Sequence, residues 1–157
     1  VKYFFDWEFH DDGKTIEPIS IGIVAEDGSA LYLELPYNIP RIEADPWIME
    51  NVVPHLEGVT VPREQACESI NKWVGDDPEF WAYYADYDWV VLCQLFGGML
   101  KLPKRFPKLC LDLQQWWIQL GRPEGVKPPA HFGEHHALAD ARWNRDLHAA
   151  LAEYAKR

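Results

Sequence analysis

The chain has 157 residues, of which 48% are hydrophobic and 25% charged, a balance that fits one globular domain and excludes disorder or a coiled coil. Fifteen basic against twenty-five acidic residues leave a formal charge of −10, which excludes a protein that coats nucleic acid or an anionic membrane by general attraction. No apolar run approaches the ~18 residues of a membrane span, and the first residues, VKYFFDWEF, carry acids inside their apolar run, unlike a signal peptide. Cys67, Cys93 and Cys110 cannot all pair and lack CxxC spacing, so the expectation is a reducing cytoplasm and free thiols.

Aromatic residues from Lys2 to Phe9 predict a first strand buried on both faces. After a polar turn at His10–Lys14, Ile19, Ile21 and Ile23 alternate with smaller residues over Pro18–Ala25. Leu31, Leu33 and Leu35 alternate similarly over Ala30–Leu35, and Asp27-Gly28 between the runs marks a hairpin. Pro36 and Pro40 end the third strand. Helices are expected over Asp45–Val53 and Pro62–Val74, each with a proline suited to a first turn.

A buried strand over Glu79–Ala85 then leads to a helix over Asp88–Phe96. Four basic residues, Lys101, Lys104, Arg105 and Lys108, precede a short strand at Leu109–Leu111. Asp112 can cap the next helix, which carries Leu113, Trp116, Trp117 and Leu120 at helical spacing. A loop at Gly121–Pro129 and a closing helix over Glu134–Ala155 complete the chain. The order predicts an α/β domain over residues 1–157, a mixed sheet flanked by helices.

Asp6 and Glu8 stand two apart on a strand, so both carboxylates point to one face and interrupt a run that otherwise belongs in a core. Buried like charges are costly unless a cation lies between them, whereas a strand end emerging into solvent would expose them harmlessly. Asp88 opens a helix after a buried strand, where a carboxylate also serves as a cap, and Asp86 competes for either role. Asp140 falls among alanines in the last helix, with His135 and His136 just before it.

Together, the segments FFDWEF, YADYDWVVL and HHALADA resemble the three motifs of the DEDD superfamily of 3′–5′ exonucleases, histidine branch, on an RNase H-like fold. Within it, WAYYADYDWVVLCQLFG over 81–97 is most similar to the small polyadenylate-specific 3′-exoribonuclease AS group of actinobacteria and their phages. The family pattern selects Asp88 over Asp86 and His135 over His136. The chain departs from it at Trp7, where relatives carry a smaller residue, and at Tyr84 and Ala85, where they often place a polar one.

The resemblance implies two Mg²⁺ or Mn²⁺ ions held by Asp6, Glu8, Asp88 and Asp140, with His135 taking the proton from an attacking water, a role suited to an imidazole. It implies single-stranded RNA as substrate, cut from the 3′ end to nucleoside 5′-monophosphates, and it admits a homodimer. Trp7, Tyr84 and Trp89 are the expected base or sugar contacts, and the basic run Lys101–Lys108 could guide the strand. A single-stranded DNA exonuclease would use the same residues. A non-catalytic RNase H-like domain that binds nucleic acid or protein is the remaining alternative.

Overall fold

The computed structural model describes residues 1–126 and 133–157. Its centre is a five-stranded sheet of order β3-β2-β1-β4-β5, built from β1 (Lys2–Asp11), β2 (Ile16–Ala25), β3 (Ala30–Glu34), β4 (Glu79–Ala82) and β5 (Leu111–Asp112). The first three strands pair antiparallel, and β4 and β5 add parallel on the other side of β1. The hairpin between β2 and β3 turns where expected. Gly28 supplies a positive φ of 91°, and Asp27 Oδ1 accepts from the Ser29 amide at 2.8 Å and hydroxyl at 2.7 Å.

The near-continuous apolar run of β1 follows from its central position, with a packed layer on each face. Tyr3, Phe5 and Trp7 enter the larger cluster with Ile21, Ile23, Ile70, Phe80 and Leu92. On that side lie α3 (Arg63–Trp73) and α4 (Ala85–Leu95), which supply Ile70 and Leu92. Phe4 points the other way, into a cluster with Trp81, Leu113, Leu147 and Leu151 under α5 (Leu113–Gln119) and α6 (Ala137–Ala155).

Several boundaries differ from expectation for identifiable reasons. Beyond β3 the chain forms α1 (Ile39–Glu43), which the two prolines had hidden; Asn38 caps it and Pro40 occupies its first turn, where a missing N–H costs nothing. Then come α2 (Pro46–Asn51), capped by Asp45, and a 3₁₀ turn at Val53–His55. The strand expected over Glu79–Ala85 stops at Ala82, and α4 begins three residues before Asp88. Asp112 Oδ2, arriving from β5, accepts the Ala85 amide at 2.6 Å and so caps α4 from a distant part of the chain. The same side chain caps α5 through the Gln115 amide, as expected.

The last helix begins at Ala137 rather than Glu134, because Gly133 (φ 85°) and His135 (φ 68°) are left-handed and cannot continue a right-handed helix backwards. Part of the loop expected over Gly121–Pro129 lies outside the described residues. Among the described residues all three cysteines are free, and no helix is long and apolar enough to cross a membrane.

Gly22 sets how closely α6 approaches the sheet. A Cβ there would overlap main-chain atoms of Ala137 and Leu138, so only glycine lets the start of α6 lie directly on β2. Gly22 is the register partner of Asp6. Deeper along the interface, Asn144, only 2% exposed, donates from Nδ2 to the Phe5 carbonyl at 3.0 Å across 139 residues of sequence.

Candidate active site

Asp6 and Glu8 project from the middle of β1 towards α6, on the sheet face opposite Trp7. Asp140 lies in the first turn of α6, and ligating oxygens of Asp6, Glu8 and Asp140 all fall within 4.8 Å of one another. Asp88 stands beside this triplet rather than in it. Its carboxylate is 5% exposed, and Oδ1 accepts the Trp7 amide at 2.7 Å, binding the first turn of α4 to the peptide between Asp6 and Glu8. Asp86, the competitor, is exposed two residues earlier.

Three of the four acids hold their protons more tightly than an ordinary carboxyl. Burial, then the charges of Asp88, Asp140 and Glu8, hold the Asp6 carboxyl well above the usual carboxylate range. Glu8 is pushed up to about 9 by burial, by the Asp140 charge and by a hydrogen bond with that carboxyl. Burial likewise lifts Asp88 to about 7, although the amide bonds from Trp7 and its own backbone oppose the shift. Among the described residues that line the cleft there is no Lys or Arg to compensate.

His135 lies at the rim, held by main chain more than by its ring. Its amide donates to Asp140 Oδ2 at 3.1 Å, and its imidazole meets the edge of Trp47 at 5.0 Å between centroids. A left-handed non-glycine residue at this position is a local strain fixed by that Asp140 bond. His136 turns away from the acids and stacks on Tyr32 at 4.7 Å. Asp6, Glu8, Asp140 and His135 border one cleft of about 510 Å³, which Trp47, Tyr83, Glu134, Trp143 and Asn144 also line, whereas Asp88 lies outside that lining.

The expected aromatic contacts are rearranged. Trp7 offers the cleft only its backbone, because its indole is 3% exposed inside the larger core. Trp89 packs against Phe5 and Phe80 in that same core. Tyr84 is 62% exposed and lies outside the cleft lining, having taken the left-handed position before α4; its neighbour Tyr83 lines the cleft instead. Trp143 and Asn144 follow Asp140 by three and four positions, the helical spacing that puts side chains on one face, so the sequence did carry a signal for them. Trp47 carried none, since tertiary docking of α2 brings it there.

The basic run 101–108 does not line the cleft. Arg105 is structural: it donates to the carbonyls of Asn71, Val74 and Gly75 and closes the end of α3, with its guanidinium 5.1 Å from the Phe106 ring centroid.

A mixed five-stranded sheet of this order flanked by helices is a fold that solved exonuclease structures share. The fold superposes on E. coli exonuclease I in complex with an oligonucleotide, with a TM-score of 0.69 at 14% identity over 98% of this chain. It also superposes on apo exonuclease I (TM-score 0.65, 15% identity, 98% of this chain) and on the exonuclease I of Methylocaldum szegediense (0.63, 15%, 98%). The chain spans about 40% of the length of those larger proteins. No family model matches the sequence. Over 150 residues the chain is 38% identical to the 3′–5′ exoribonuclease of Mycobacterium tuberculosis, in strains CDC 1551 / Oshkosh and H37Rv alike, covering 90% of this chain and 88% of the relative. The protein belongs to this family of 3′–5′ exoribonucleases.

Proposed function

We propose that residues 1–157 act as one exonuclease domain that hydrolyses single-stranded RNA from its 3′ end to nucleoside 5′-monophosphates, using two divalent ions, Mg²⁺ or Mn²⁺. The observation that carries this reading is the convergence of Asp6, Glu8 and Asp140 from the first strand and the last helix, with Asp88 buried alongside. Three carboxylates within 4.8 Å of one another, with Asp88 buried beside them and no Lys or Arg among the described lining residues, are costly as anions unless cations lie between them. Carboxylate oxygens with no thiolate suit hard cations. The residues therefore fit the ions.

Asp6, Glu8 and Asp140, with Asp88 beside them, would hold the ions. Bound there, the ions would neutralise the transferring phosphoryl and stabilise the leaving oxygen. His135, at the rim and outside the carboxylate triplet, is placed to take the proton of the attacking water. Asp140 fixes His135 through the main chain, so one side chain serves both metal holding and base placement. The cleft admits an unpaired strand end whose terminal nucleotide faces Trp47 and Tyr83.

A timed gel of 5′- and 3′-labelled single-stranded RNA and DNA, in Mg²⁺, Mn²⁺ or EDTA, tests the proposal. Stepwise shortening of RNA from the 3′ end, abolished by EDTA, is the expected result. Faster loss from DNA would move the substrate to the second reading, in keeping with the oligonucleotide complexes of exonuclease I. Binding without shortening would leave only the non-catalytic alternative.

A further inference from the structure

Beside the catalytic cleft lies a second groove of about 270 Å³, lined by Tyr83, Gln114, Trp117, Val126, Trp143 and Leu147. Tyr83 and Trp143 line both. Their rings meet edge to face at 5.2 Å and 79°, forming a shared partition whose two sides face different spaces. The groove thus adjoins the site across one layer of aromatic rings.

Its size and lining narrow the occupant. The volume lies just below the ~300 Å³ at which drug-sized pockets begin, so it suits one flat ring system rather than a whole nucleotide. Its described walls are aromatic and aliphatic, with Gln114 the single amide and no charged group among the described lining residues. The protein carries a formal charge of −10 and its cleft has no Lys or Arg among the described lining residues, so its general field offers backbone phosphates little attraction. Bases can supply contact with a strand beyond its last nucleotide, because stacking on aromatic rings holds them without regard to sequence.

Resting on the exonuclease reading, we infer that the Trp117 groove is a second base subsite. It takes the unpaired nucleobase one position 5′ of the terminal nucleotide, while the terminal nucleotide itself occupies the carboxylate cleft on the other side of the Tyr83–Trp143 partition. The strand end is then clamped on both sides of the scissile linkage.

The test compares RNA 3′ ends that carry either a normal nucleotide or an abasic one at the penultimate position. For the wild-type protein, kcat/KM for release of the last nucleotide should fall about 5- to 150-fold on the abasic strand, the range for one lost stack. Trp117→Leu, which keeps an apolar side chain in its cluster, should lose activity on the normal strand and cleave the abasic strand at the wild-type rate. Trp117→Phe should restore the discrimination. Binding of both strands to the uncleaving Asp140→Asn variant, read by fluorescence anisotropy, should show the same preference and decides the subsite even if no RNA is cleaved. Absence of cleavage with the binding preference intact would overturn the exoribonuclease reading alone. Equal wild-type rates and equal binding on the two strands, or an equal loss on both in Trp117→Leu, would overturn the subsite.

Discussion

His135 and Asp6 border the same cleft, yet they are held there by different means, and their removal should separate accordingly. His135 reaches the rim through a strained backbone bonded to Asp140, outside the carboxylate triplet. His135→Ala should keep divalent-ion binding and lower turnover by about 10²–10⁴-fold, the usual loss with a proton acceptor. Asp6→Ala should lose ion binding and activity together, as calorimetric titration beside single-turnover rates would show. His136→Ala should leave turnover intact and cost stability instead, about 0.5–1.5 kcal/mol, because its ring stacks on Tyr32 away from the acids; denaturant unfolding measures that difference. Spacing alone left the two histidines open and the family resemblance chose between them; the turn at Gly133–His135 shows why adjacent residues diverge. Where side chains alternate regularly, as Asp6 and Glu8 do on β1, their shared face was legible. Tyr84 was not, because a left-handed residue before α4 redirects the chain in a way no period encodes.

At the scale of elements, the seat of α6 on β2 controls where Asp140 stands. Gly22 permits that seat, and it pairs in register with Asp6. Gly22→Ala should push the first turn of α6 off the sheet, spreading the carboxylates. An overpacked contact against main chain should cost about 1–3 kcal/mol, with a larger proportional loss of activity than of folded protein. Thermal unfolding and turnover measured on the same sample distinguish this from simple destabilisation. The three N-terminal strands were legible because alternation and an Asp-Gly turn are local signals. The start of α4 was not, since its cap, Asp112, comes from another strand. Likewise α1 was hidden because prolines read as breaks when they stand at a helix start.

Across the whole molecule, the acid cluster links stability to pH with an unusual sign. Folded-state values raised to about 9 for Glu8 and about 7 for Asp88 lie above those of an unfolded chain, ~4. Their contribution is therefore fully present below that unfolded value and is lost as pH rises through the folded values. Exposed acids with lowered values, such as Asp12 and Asp27, complete their titration below this window. His148, kept neutral by burial among Phe4, Trp81 and Trp116, acts in the opposite direction only at lower pH. In EDTA the melting temperature should thus fall between pH 7 and 9, and Mn²⁺ should flatten the decline by replacing the protons. A steeper fall with Mn²⁺ than without would contradict the ion placement, and scanning fluorimetry across that range reads it directly.

The pairing of the first strand with the last helix also orders events in time. During translation β1 leaves the ribosome before α6, and a domain folds as a unit. Asp6, Glu8 and Asp88 are made before Asp140 and the amide of His135 that it holds. A nascent chain therefore carries most of the carboxylates without a working centre. On the exonuclease reading, the site is completed only once synthesis has passed Asp140, while the chain is still attached to its own message.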